Sequence, residues 1–193
     1  MKRKKRSGVV GLLILMGCAV ILAIGVSMIF QRFGENKGRQ EAQLDNNIRE
    51  ADILYGRIHA MSPEENYPQT PEGVMRFFAL TYQFMYGPLM PDIETLADVL
   101  TLQRLLYGDE LLRLNNFEMQ LIRMQSALKE LSDRKVYNTG MVINSSEYTD
   151  ESQCVIRCVQ TLHNADDIVL DFYLERSPED NLWRIHSWEA VDD

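Results

Sequence analysis

Hydrophobic and polar positions follow three rhythms along this chain. From Val9 to Phe30 there is no alternation, because 22 residues pass without a charge. At 1.5 Å per residue a helix of that length covers about 33 Å, enough for a hydrocarbon core of roughly 30 Å, so a transmembrane helix is predicted over 9–30. Beyond a polar tether at 34–40, a helical rhythm begins. Leu44, Ile48, Ala51, Tyr55 and Ile58 recur at spacings of four and three, which predicts a stalk helix packing on its own domain. Thr70-Pro71-Glu72 then opens a helix with a capping hydroxyl, a proline suited to the first position and an acid at the positive end of the dipole. Val74, Phe77, Phe78, Tyr82 and Met85 line one face of it, and Gly87-Pro88 ends it. A second helix is predicted over about 91–107. After a break at Gly108-Asp109 and a short turn at Leu111 to Leu114, a third carries Phe117, Leu121, Met124, Leu128 and Leu131 on one stripe.

After residue 135 the period drops to two. Tyr137-Thr139-Met141-Ile143, the segment around Cys154 to Val159, Ile168-Leu170-Phe172-Leu174, and Leu182 to Val191 read as four strands separated by polar turns. Helices followed by strands give an α+β class: an N-terminal transmembrane helix, then three helices packed on a curved four-stranded antiparallel sheet. The domain boundaries that follow are a basic tail at 1–8, the span at 9–30, a juxtamembrane stalk and linker at 31–66, and a folded domain at 67–193.

Charge orients this arrangement. Five of the 20 basic residues fall in the first six positions, and the other 15 stand against 28 acids, leaving −13 for the rest of the chain. The positive-inside rule then keeps the amino terminus in the cytoplasm and places the domain outside, as a single-pass signal-anchor protein of the cell membrane. A cleaved signal peptide is disfavoured by the length of the apolar run and its bulky end. Leu15-Met16-Gly17-Cys18 resembles a loose lipobox, but apolar residues continue past Cys18 where a lipoprotein turns polar. So acidic a domain disfavours nucleic acid, whose affinity comes from neutralised phosphates. Cys154 and Cys158 lie about 13 Å apart on one strand, too far to bond, and fit small buried hydrophobes.

Two segments carry a resemblance. Asp180-Asn181-Leu182-Trp183-Arg184-Ile185-His186-Ser187-Trp188 resembles the acidic turn and Trp-basic-Ile strand of extracytoplasmic members of the nuclear transport factor 2-like (cystatin-like) superfamily. With the basic start, the span and Tyr67-Pro68-Gln69-Thr70-Pro71, the layout is similar to an uncharacterised family of Gram-positive bacterial anchored proteins, over about residues 67–191. The resemblance implies a cone-shaped fold with a pocket between helices and sheet, relatives that include isomerases and dehydratases, and dimerisation through the sheet. It supplies no assigned activity.

An enzyme in such a cone needs an ionisable group with a shifted pKa and a donor for a developing oxyanion. The available groups are Tyr82, Tyr86, Tyr137, Asp171, Tyr173 and His186, of which Asp171 is expected on the face opposite the apolar one. The three histidines, His59, His163 and His186, sit on separate elements and make no metal-ligand spacing. Trp183 and Trp188, five positions apart, are expected on opposite faces, one in the core and one available for a protein contact. No catalytic residue, metal site or cofactor is assigned. Tyr82, Tyr86, Trp183, His186 and Trp188 are the candidate pocket or interaction residues. The function expected is a membrane-anchored, extracytoplasmic binding or assembly module without catalysis, with a protein partner or a homodimer. The alternative is a small-ligand receptor or an isomerase/dehydratase-like enzyme using the cone pocket.

Overall fold

The computed structural model describes residues 37–191, with side chains from residue 43 onward. Five helices come first: α1 (Lys37–Ala60), α2 (Pro71–Met85), α3 (Ile93–Arg104), α4 (Asp109–Leu114) and α5 (Phe117–Asp133). Four strands follow: β1 (Tyr137–Tyr148), β2 (Gln153–His163), β3 (Ile168–Arg176) and β4 (Trp183–Ala190). They pair antiparallel in the order β1-β2-β3-β4.

The fold class predicted from sequence needs two corrections. Three helices become five, because the expected stalk is a continuous helix whose end joins the core, and the short turn after Gly108 closes into α4. The transmembrane helix is the second. Among the described residues no helix is long and apolar enough to cross a membrane. The expected span at 9–30 lies outside the described residues. With it go the supports for single-pass topology, signal-anchor character, a cytoplasmic amino terminus and an extracytoplasmic domain. The class that stands is α+β with a four-stranded antiparallel sheet.

Local chemistry sets the helix starts. The Thr70 hydroxyl accepts from the Gly73 amide at 3.1 Å with Pro71 in the first turn, and the Asp92 carboxylate accepts from the Thr95 amide at 2.9 Å. Asn116 caps α5 by accepting from the Glu118 amide at 3.0 Å. At the other end of α5, the Val136 amide donates to Leu131 and the Lys135 amide to Ser132, a Schellman turn whose left-handed position is Lys135 at φ 55°. Asn164 and Asn181 take the same backbone region, at 59° and 61°, in the two later turns of the meander.

The helices cover one face of the sheet. Cys154, Ile156, Cys158 and Gln160 of β2 and Leu170, Phe172 and Leu174 of β3 point to them and are buried with Phe77, Phe78, Met85, Leu96 and Leu100. Both cysteines are free, and burial pushes their thiols up, to about 11 at Cys154 and about 12 at Cys158, so they act as small hydrophobes. Ile58 of α1 is fully buried in this same core, with Ala51, Leu54 and Tyr55 packed against it. The far edge of β4 is also engaged: the Ile185 amide donates to Leu106 and the Gly108 amide to Ile185, at 2.8 and 2.9 Å.

Candidate functional site

The predicted pocket residues separate into three environments. Tyr82 on α2 and Tyr86, the residue that caps its end, stack at 4.4 Å and lie half-buried against the core. Trp183 and Trp188 do not face opposite sides. Tyr173 pairs with Ser187 while Leu174 pairs with Ile185, so His186 is the extra residue of a β-bulge. That insertion shifts the alternation by one, and Trp183, Ile185 and Trp188 all turn inward. Trp183 is buried beneath Tyr148 and the Arg176 guanidinium, and Trp188 stacks on Phe172 at 5.8 Å. His186 faces Glu175 at 3.8 Å, partly exposed.

The space between helices and sheet is filled by aromatic and aliphatic side chains. Phe78 alone touches the rings of Tyr82, Phe172 and Trp188. Polar groups that enter this layer satisfy one another. Tyr107 donates to the Gln103 side-chain Oε1 at 2.8 Å, the Gln103 Nε2 donates to the Thr81 hydroxyl at 2.9 Å, and Thr81 donates to the Phe78 backbone carbonyl at 2.8 Å. Gln160 is the exception. Its side chain is almost completely buried and its Nε2 has no hydrogen-bond partner.

The opposite face of the sheet is different in kind. Register places Val142 beside Val159 and Val159 beside Val169, and the Val191 amide extends the row by donating to the Val169 carbonyl. Val155 lies on the same face two pairs further on, beyond Arg157 and Asp171. Val142 is 62 % exposed, and none of these valines packs against the core. Asp171 points to this face as the alternation predicts. It is nevertheless nearly buried, because Arg157 lies across it with two bonds of 2.7 and 2.6 Å. Tyr173 donates to Glu189 beside it, and that bond pushes the phenol up to about 12.

Two grooves meet on the helix side, where α2 ends. One, of about 190 Å³, runs between α1 and the start of β1, past Asn47, Leu54, Gln83 and Thr139. The other, of about 350 Å³, is bounded by Tyr86, Met90, Leu128, Lys135 and His163. Asn47, Gly87, Pro88 and Tyr137 border both. Gly87 is required at this crossing, since a Cβ there would stand 2.7 Å from the Gln83 carbonyl oxygen. Tyr137 stacks on His163 at 4.5 Å with 16° between the rings.

Sequence reasoning named Tyr86 and Tyr137 but did not bring them together here, because the lining comes from four segments and none forms a motif. It also missed the tie between α1 and α3. There the Asp98 carboxylate accepts from Tyr55 at 2.9 Å and lies 2.9 Å from the His59 ring. Among the described residues no group of histidines, cysteines or carboxylates could hold a metal ion.

A family model matches residues 1–188 and is described as a domain of unknown function. No curated protein and no solved structure matches the chain.

Proposed function

The chain belongs to the family of the domain of unknown function DUF6715, which brings a relationship but no activity, and from the chain's own surfaces we propose a non-catalytic module that assembles with a second copy of itself. The observation behind this reading is the contrast between the two faces of the sheet. The inner face is sealed by packed rings. The outer face carries a valine row across β1, β2 and β3 that ends at Val191 just past β4, and no described part of the core covers it. Val142 is exposed and Val159, Val169 and Val191 are partly exposed; an apolar row of this kind suits a contact site, and with the Arg157–Asp171 pair and Tyr173 beside it the face combines apolar and polar contacts as an interface does.

Catalysis between helices and sheet would need ionisable groups from both to meet there. Three of the six candidates, all on the sheet, are engaged away from that space: Asp171 with Arg157, His186 with Glu175, and Tyr173 with Glu189. That favours the binding reading over an isomerase- or dehydratase-like enzyme.

Light scattering on the full chain tests it. The expected mass is twice the 22.3 kDa of one chain, falling to a single copy in Val159→Lys or Val169→Lys, with the circular dichroism of both variants unchanged. A wild-type chain that stays monomeric at high concentration overturns the reading. So does a dimer indifferent to both substitutions.

A further inference from the structure

The two edges of the sheet are treated differently. Along β4 the edge is closed, because the Ile185 backbone bonds to both Leu106 and Gly108. Along β1 the closure stops early. The Asn138 amide donates to the Tyr86 carbonyl at 2.7 Å, and beyond it β1 runs on to Tyr148.

The end of β1 is an open pairing edge. The Thr149 amide donates inward to the Gln153 carbonyl at 3.0 Å, and Ser145 to Tyr148 pair with Arg157 to Cys154 without interruption. Backbone groups alternate along a strand, so the N–H and C=O of Ser146 and Tyr148 point away from β2. Among the described residues no backbone group pairs with them. Ser145, Ser146, Glu147 and Tyr148 are all exposed. Sheet edges are ordinarily guarded by lysine, proline, a bulge or a cover. β1 has no lysine and no proline, and its bulge at Asn144 precedes the open stretch.

Charge selects what fits there. Between Lys135 and Arg157 the sequence holds Glu147, Asp150 and Glu151 and no basic residue. Glu72, at the start of α2, adds a carboxylate from the helices. The Tyr148 phenol donates to it, and burial together with that carboxylate pushes the phenol up. Acids therefore flank the strand on both faces: Glu147 stands on the outer one beside Val155, and Glu72 meets Tyr148 on the inner one, where Tyr148 pairs with Cys154. A strand added at this edge sets its alternate side chains beside Glu147 and beside Tyr148. Lysine or arginine suits both places, with a carboxylate for its head and, at Tyr148, an aromatic ring for its stem.

We propose that the open end of β1 takes up an extended basic segment of another protein, which pairs with Ser146 and Tyr148 as a fifth strand. The probe is the end-capped peptide Val-Thr-Val-Lys-Lys-Val-Thr-Val, whose adjacent lysines point to opposite faces, titrated calorimetrically into the full chain. Two further versions, N-methylated on the odd or on the even residues, keep every charge and side chain. Saturable one-to-one binding of the parent peptide is expected, with one methylated version at least roughly tenfold weaker and the other close to the parent. Equal affinity of all three means that charge alone holds the peptide, and it overturns the proposal. Ser146→Pro removes an outward donor and leaves the ladder to β2 intact, and Glu147→Lys guards the edge at an exposed position. Each is expected to weaken the peptide at least about tenfold with unchanged circular dichroism. Binding indifferent to Glu147→Lys overturns the proposal, and so does absence of saturable binding at millimolar peptide. A fall in oligomer mass on Ser146→Pro assigns the edge to a second copy and overturns it as well. Val159→Lys, on the valine face, is expected to bind the peptide as the parent chain does, so the two readings fail separately.

Discussion

Gln160 shows how one side chain can conflict with its surroundings. On β2 it occupies the inward position after Cys154, Ile156 and Cys158, where the alternation asks for an apolar residue. Its amide nitrogen is buried with no partner, and a donor stranded in this way costs about 1–3 kcal/mol relative to water. Methionine has a similar length and no donor to desolvate. Gln160→Met is therefore expected to raise the stability of the full chain by about 1 kcal/mol, read as a higher urea midpoint at unchanged slope. A lower midpoint would mean that the amide is engaged in solution, for instance by a buried water. The chain of Tyr107, Gln103 and Thr81 shows the opposite case: three polar groups in the same layer, each with its partner. Residue types alone do not separate these cases, because satisfaction depends on partners 22 positions away, as between Gln103 and Thr81.

Elements were the most legible level. The cap at Thr70, the stripe on α5 and the period-two runs of the first three strands follow from local rules that need no tertiary information. Where the reading failed, it assumed unbroken periodicity. Counting by twos from Trp183 puts Trp188 on the far face, but the bulge at His186 adds a residue and returns it to the core. A bulge leaves no signature in the strand's own sequence, since it is set by pairing with β3. Tryptophan fluorescence distinguishes the two arrangements, because the chain has only these two tryptophans. With both rings inside, emission is expected at blue-shifted wavelength as a single population poorly quenched by acrylamide. Trp183→Phe and Trp188→Phe should each leave a remaining ring that behaves the same way. A red-shifted, readily quenched component in either variant would place that ring outside and remove the bulge.

At the scale of the molecule, the boundary drawn at residue 66 and the core found in the structure do not coincide. Composition marks a turn-rich linker at 62–69, which separates α1 from α2 in sequence but not in space. Ile58 is fully buried among the residues of α2 and the sheet, Tyr55 packs 5.6 Å from Phe84, and Asp98 of α3 receives the Tyr55 hydroxyl. The last three turns of α1 are therefore part of the domain. The earlier turns, with Leu44 and Ile48 about half exposed, extend beyond it. This division predicts unequal responses along one helix. Ile58→Ala removes a fully buried side chain and is expected to cost about 3 kcal/mol in urea unfolding, within the range for such truncations in packed cores. Leu44→Ala, at an exposed position of the same helix, should stay within about 0.5 kcal/mol of the parent. Equal and small effects at both sites would mean that α1 is a separable stalk and that the domain begins after the linker, as composition suggested. A large loss confined to Ile58 means that the linker joins two parts of one cooperative unit, because the core formed by α2 and the sheet is incomplete until α1 closes it.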